Sequence, residues 1–313
     1  MSSKTGAILI YVCVTAIACG GSSSPAAPPT TTTTTTTTPT ASSASWTLEG
    51  VRMTASTAGL VGQTTLADST TIRLNDGRYR MYMFAGDNIR SAISSDGLSF
   101  TMEEGARLPQ GSGQSRAVRL TDGRIRIFYA TATGLGSAIS TDDGANFTVE
   151  SGLRIAGSDA GMSQLTGPGI IRLTNGSYRA YFSDLPIPGQ GPLPHSIKSA
   201  ISSDLFAWTV ESGVRVGPGA ALTGNAEHPC AILNPDGSTT IFYFRNTDTR
   251  LYSSTSADGL TFTTEASTGI SQANDPDIVT LADGSVRLYY NWTDSGGGII
   301  LSAKRATASQ TSR

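Results

Sequence analysis

The sequence predicts an all-β protein folded as a five-bladed β-propeller, in which each blade is a four-stranded antiparallel sheet. Two observations predict it: a strand–turn–strand pattern occurs five times, and an extra strand at the N-terminal end matches one that the last repeat lacks. Charged residues make up only 15% of the chain and glycine occurs 35 times, which is typical of a β-rich protein.

The first half of each repeat is a hairpin. Two alternating apolar runs flank an Asp-Gly or Asn-Gly pair, as in "STTIRLNDGRYRMYMF" and "SRAVRLTDGRIRIFYA". Tight hairpin turns need residues with positive φ, so these pairs are strong hairpin signals. The turn glycines recur every 46 to 61 residues, a spacing that suits four-stranded blades; they are Gly77, Gly123, Gly176, Gly237 and Gly284.

The second half of each repeat supplies two more strands. "SAISSDGLSF", Ser91 to Phe100, gives a third strand and a turn, and a fourth strand such as "FTMEEGARL" follows. The last repeat has no fourth strand, whereas "WTLEGVRM", Trp46 to Met53, stands alone before the first. We therefore expect the N-terminal strand to pair with the last blade, which closes the ring and removes exposed sheet edges.

The N-terminal region has the features of an export signal. Residues 1–19 contain Lys4, a short apolar stretch and the small residues Ala16-Ile17-Ala18 before Cys19. This resembles the lipobox of bacterial lipoproteins and implies lipidation of Cys19, with an ordinary cleaved signal as the alternative. The sequence predicts a disordered Ser/Pro/Thr-rich tether over residues 20–45. It predicts the propeller over residues 46–306 and a flexible tail over residues 307–313. We expect an extracytoplasmic monomer anchored to a membrane.

Composition excludes some classes of function. The net charge is −2 and there is no basic run, so a nucleic-acid partner is not expected. Cys230 lies in the apolar run "PCAIL" and is expected to be a small buried hydrophobe. No His/Cys cluster has the spacing of a transition-metal site, and no cofactor is expected beyond a possible calcium ion on the propeller axis.

Candidate site residues follow from aligning the five inner strands on their turn glycines. In a propeller these strands begin at a central funnel, where side chains from all blades converge and form the default ligand site. The alignment places one residue of each blade in the same position: Asp68, Gln114, Gly167, His228 and Asp275. Glu227 immediately precedes the fourth of them.

Two short motifs at these positions resemble a known family. Glu227-His228-Pro229 matches a Glu-x-Pro motif and Asp275-Pro276 an Asp-Pro motif of the five-bladed glycoside hydrolases, the family 43-like arabinanases and β-xylosidases with their invertase-like relatives. The resemblance implies that Glu227 is the general acid and Asp68 the base. It also implies that Asp275 holds a water, a sugar hydroxyl or a cation, and that His228 faces the axis. The family's middle Asp has no match, because Gln114 and Gly167 stand in the second and third blades.

Other features leave the function open. Ser140, Asp142, Gly144 and Phe147 resemble the Asp box of sialidases, whose role is to hold a turn. Arg116, near the start of its strand, is the candidate for binding an anionic group, and Gln114 and His228 are further candidates for binding the substrate. The insertion Ser183 to Lys198 is a Pro/Gly-rich loop. The sequence therefore predicts a carbohydrate-hydrolysing propeller, a non-catalytic propeller that binds glycans or proteins, or a sialidase-like protein.

Overall fold

The computed structural model of the chain describes residues 45–60, 64–162, 164–184, 195–217, 226–245 and 248–305. The predicted signal, Cys19, almost all of the tether, the C-terminal tail and most of the third-blade insertion lie outside the described residues. The described part consists of twenty strands and one short helix, α1 (Gly157–Ala160). None of its helices is long and apolar enough to cross a membrane.

The strands form five sheets of four antiparallel strands, which confirms the predicted propeller. The first blade contains Leu66–Arg73 (β2), Tyr79–Ala85 (β3), Asn88–Ser94 (β4) and Thr101–Met102 (β5). The second contains Gly113–Arg119 (β6), Ile125–Thr131 (β7), Gly134–Ser140 (β8) and Thr148–Ala156 (β9). The third contains Gly169–Arg172 (β10), Tyr178–Ser183 (β11), Ile197–Ser202 (β12) and Thr209–Val216 (β13).

The fourth and fifth blades complete the ring. The fourth contains Ala226–Leu233 (β14), Thr239–Arg245 (β15), Arg250–Ser256 (β16) and Glu265–Ser271 (β17). The fifth contains Asn274–Thr280 (β18), Val286–Asp294 (β19), Gly297–Arg305 (β20) and the N-terminal strand Thr47–Thr54 (β1). Strand β1 pairs antiparallel with β20, from Thr47 opposite Lys304 to Thr54 opposite Ile299. The ring closure predicted from the sequence is therefore confirmed.

Tyrosines of the second strands connect neighbouring blades. Tyr82 of the first blade is fully buried, and its hydroxyl donates a hydrogen bond to the carbonyl of Gly144 in the next blade, at 2.9 Å. Tyr181 and Tyr289 make the same bond to turn glycines of the blades that follow theirs. Gly144 has φ +85°, and a Cβ there would lie 2.0 Å from the Tyr82 hydroxyl. This turn therefore requires glycine both for its backbone and for the close approach of the tyrosine.

In every blade an Arg–Glu ion pair joins the second strand to the outermost strand or, in the first blade, to the residue just after it. The N–O distances are 2.7 to 2.9 Å, and the arginine side chains are 3 to 8% exposed. The pairs are Arg80–Glu103, Arg126–Glu150, Arg179–Glu211, Arg245–Glu265 and Arg287–Glu49. In the last of them the glutamate is on β1, so the ion pair and the strand ladder close the ring together.

The turns after the third strands are held by aspartates. Asp96 accepts hydrogen bonds from the backbone N–H groups of Leu98 and Ser99 and from the Ser94 hydroxyl. These backbone donors lower the pKa of Asp96 to about 2, so the carboxylate stays ionised in its turn. The Asp96 carboxylate therefore holds the backbone of this turn.

Candidate functional site

The inner strands are interrupted by bulges at their axial ends. In four blades, the residue that the sequence alignment singled out has the left-handed conformation, with φ +53° at Asp68, +44° at Gln114, +51° at His228 and +47° at Asp275. Pairing with the second strand is shifted at each of these points. Such backbone is uncommon for residues other than glycine, and strained residues of this kind cluster at functional sites. The repeated bulge brings one side chain per blade to the axis.

These side chains meet in one group. The Nδ1 atom of His228 contacts an oxygen of Asp275 directly and lies 3.7 Å from Oδ1 of Asp68. On the other side of the imidazole, Nε2 of His228 lies 3.5 Å from the amide nitrogen of Gln114. The Oε1 atom of Gln114 accepts a 3.2 Å hydrogen bond from the backbone N–H of Gly167. All five blades thus contribute to the group that the sequence alignment placed together.

The three titratable side chains of this group change one another's pKa values. Burial and the negative charge of Asp275 raise the pKa of Asp68 to about 6. Burial alone would lower the pKa of His228, but Asp275 and Asp68 outweigh it, and the pKa lies well above its ordinary value. Burial opposes ionisation of Asp275 too, yet the charge and hydrogen bond of His228 hold its pKa below the usual range. At neutral pH the arrangement is an imidazolium whose Nδ1 faces two carboxylates, and Asp68 is the more basic of the two.

Glu227 lies in a second carboxylate–imidazole group. Its Oε1 is 3.2 Å from Nδ1 of His195, and the charge of Asp184 acts on both side chains. Burial lowers the pKa of His195, but the hydrogen bond and charge of Glu227, together with Asp184, raise it above the ordinary value. The structure therefore places the predicted acid beside its own histidine, one residue before the histidine of the axial group.

Arg116 lies two residues further along its strand than Gln114. Its guanidinium forms an ion pair with Asp277 and donates to the backbone carbonyls of Pro168 (3.0 Å) and Pro276 (3.3 Å). Asp277 also accepts from the N–H of Thr71, at 2.7 Å. Residues of four blades are thus tied together. They lie around a small polar cavity of about 90 Å³, which Asp277 and Cys230 also line.

Cys230 is a buried free thiol, and burial raises its pKa to about 12. A thiol with so high a pKa is not a nucleophile at neutral pH.

The third blade has glycine, and not a carboxylate, at the axial position for a steric reason. A Cβ at Gly167 would lie 2.0 Å from the backbone oxygen of Gln114, and one at Gly169 would lie 2.7 Å from Cα of Cys230. The inner strand of the third blade therefore approaches both neighbours too closely for side chains. An aspartate at position 167 is excluded by this packing.

The axial group also has the composition of a cation site. Asp68, His228 and Asp275 each offer one ligand atom, and within the described residues these atoms lie within 4.8 Å of one another. Carboxylate oxygens and an imidazole nitrogen together suit several divalent cations. The sequence search for metal-ligand spacing missed this group because its members come from three separate blades.

Sequence reasoning did not find Asp184, His195 or Asp277. Asp184 and His195 lie within the third-blade insertion, near its two ends, and have no counterpart in the other repeats. Asp277 stands two residues after Asp275 and is followed by the apolar residues Ile278 and Val279. An acidic residue inside an apolar strand is itself a signal, since a buried carboxylate needs a partner.

Comparisons with known proteins agree on the fold. No protein-family model matches the chain, and no curated protein matches it. Many solved structures do match. They include a thermostable family-43 glycoside hydrolase, with 13% identity, a TM-score of 0.60 and coverage of 78% of this chain and 90% of that one.

Two other matches are carbohydrate-active proteins. The endo-arabinase from Bacteroides thetaiotaomicron is 14% identical, with a TM-score of 0.61 and coverage of 76% of this chain and 93% of that one. An N-acetylgalactosamine deacetylase from F. plautii, solved with blood group B trisaccharide, is 13% identical, with a TM-score of 0.61 and coverage of 83% and 95%. The chain thus has the five-bladed fold of glycoside hydrolase-type propellers.

Proposed function

We propose that the protein binds a carbohydrate at the axial funnel and hydrolyses it, with Asp68 as the base and Glu227 as the acid. The observation that carries the proposal is the arrangement of two carboxylate–imidazole groups on the adjoining residues Glu227 and His228. Glycoside hydrolysis needs one carboxyl group that donates a proton to the leaving oxygen and one that activates water or attacks the sugar. The solved carbohydrate-active propellers of the same fold support this class of substrate.

The two acids are suited to different roles. Asp68 has a pKa of about 6, close to the operating pH, which is the range in which a general base is effective. Glu227 is buried beside His195, whose imidazole can return a proton to it between turnovers. Arg116, the candidate for an anionic ligand, is already paired with Asp277, which does not favour a sialidase-like protein.

A second candidate is cation-assisted hydrolysis at the same funnel. The observation that favours it is the close approach of the ligand atoms of Asp68, His228 and Asp275. A divalent cation there would polarise a carbonyl or activate a water molecule for attack. Sensitivity of the activity to a chelator, with recovery on adding back the metal, distinguishes this candidate from the metal-free one.

The test is a screen of the purified protein on aryl arabinosides, xylosides, galactosides, N-acetylated sugars and a sialoside, each with and without chelator. Release of product that is lost in Asp68→Asn and in Glu227→Gln supports the proposal. Activity that survives Glu227→Gln removes that residue as the acid. Binding of a glycan without any product release favours the non-catalytic propeller.

We also propose that the protein is exported and anchored through a lipid on Cys19. The support is the signal-like segment followed by small residues and this cysteine. Durable anchoring needs more than one acyl chain, so we expect the intact protein to partition into a detergent phase. Cys19→Ser is expected to move it to the aqueous phase, and an unchanged distribution between the two phases would contradict the anchor.

A further inference from the structure

Both ends of the third-blade insertion lie against the first residues of β14. The N–H of Ala226 donates to the backbone carbonyl of His195 at 3.3 Å, and Oε1 of Glu227 lies 3.2 Å from Nδ1 of His195. The N–H of His228 donates to the hydroxyl of Ser183, also at 3.3 Å. Three consecutive residues of the fourth blade are therefore held by residues near the two ends of the insertion in the third.

His195 makes two of these three contacts and is almost completely buried, with a side chain 1% exposed. Asp184, at the other end of the insertion, acts on the same imidazole, and its Oδ1 is buried without a hydrogen-bond partner among the described residues. Turning the His195 ring would separate its Nδ1 from Glu227, and the side chain is too buried for solvent to replace that contact.

From this geometry we propose that His195 is a positioning residue, which fixes the carboxyl group of Glu227 for proton transfer through its Nδ1 donor. The inference rests on the proposed function, since it assigns a role relative to the acid of that reaction. Residues that orient metal ligands through a hydrogen bond typically contribute about 10- to 100-fold to affinity or activity, and we expect an effect of similar size for a residue that orients Glu227.

Two substitutions of His195 test whether a donor is needed at the position of Nδ1 or whether any polar side chain is sufficient. The amide nitrogen of asparagine takes the place of Nδ1 of histidine, whereas that of glutamine takes the place of Nε2. We expect His195→Gln to lower kcat about 10- to 100-fold with little change in KM, because ground-state binding does not use this contact. His195→Asn is expected to recover most of the lost kcat.

Two kinetic outcomes would overturn the proposal. If both variants retain the kcat of the wild type, His195 does not position the acid. If both lose kcat equally, the Nδ1 position is not what matters. The urea midpoint of each variant is measured alongside, so that a general loss of folded protein is recognised as such.

A second measurement does not need activity. The chain contains only two histidines, so in a ¹⁵N-labelled sample the His228→Asn variant leaves the ring of His195 as the one imidazole signal. We expect a downfield Nδ1 proton that exchanges slowly, is kept in His228→Asn and is lost in Glu227→Ala. A rapidly exchanging Nδ1 proton would overturn the proposed contact. If no sugar is hydrolysed but this signal is present, the proposed function fails while the contact stands.

Discussion

Asp68→Asn is expected to lower turnover of the best substrate by about 100-fold or more, because an amide cannot accept the proton that a general base removes. The exchange preserves shape, so the protein should remain folded. The control is Asp76→Asn, which changes an exposed aspartate in the adjoining hairpin turn whose partner is Arg78. Full activity in Asp68→Asn, measured beside this control, would assign the base to another residue.

The pH dependence adds a second readout for the same residue. Asp68 is a base only when deprotonated and has a pKa of about 6, so activity should rise as the pH increases through about 6. Burial and the charge of Asp275 together raise that pKa. In Asp275→Asn the second cause is removed, so the acidic limb of the profile should move to lower pH in whatever activity remains. A limb that does not move would show that the two carboxylates do not interact.

Glu49→Ala is expected to be the most destabilising of the single substitutions considered for the scaffold. Glu49 accepts two hydrogen bonds from Arg287, at 2.8 and 2.9 Å, and a third from Ser302. Removing one partner of a buried pair leaves an uncompensated charge and costs about 3–5 kcal/mol. Glu49 is on β1, the strand that closes the ring, so its substitution weakens the attachment of β1 to the last blade. We therefore also expect β20 to become an exposed edge and the protein to aggregate more readily.

Urea unfolding followed by tryptophan fluorescence measures the effect of Glu49→Ala. The matched control is Lys304→Ala, which removes a solvent-exposed ion pair with Asp283 on the same terminal sheet and should leave the midpoint unchanged. Equal midpoints for Glu49→Ala and Lys304→Ala would show that β1 is not held by its ion pair with Arg287.

Much of the fold could be predicted because the repeat carries redundant information. The turn glycines, the alternating strands and the unmatched strand at Trp46–Met53 all indicate one closed ring, and the pairing of β1 with β20 confirms it. The same alignment placed Asp68, His228 and Asp275 together, because equivalent positions in equivalent blades point to one axis. The chemical roles assigned to them remain predictions.

Contacts outside the repeat could not be predicted in the same way. His195 and Asp184 lie within an insertion that only the third blade has, so no other repeat indicates where their side chains point. The partner of Arg116 is Asp277, 161 residues away in the chain, and nothing in either local sequence identifies it. Gly167 looks like a missing acid in the alignment, whereas the packing of neighbouring backbones is what requires glycine there.

The most direct test of the central claim is the imidazole titration of His228 by NMR, in the presence of chelator, with the signal assigned from His195→Asn. If the bulges of separate blades bring two carboxylates to this ring, its pKa should lie well above the ordinary value of histidine and should fall in Asp275→Asn. A pKa at or below the ordinary value, the same in both proteins, would show that the acids do not meet His228 at the axis.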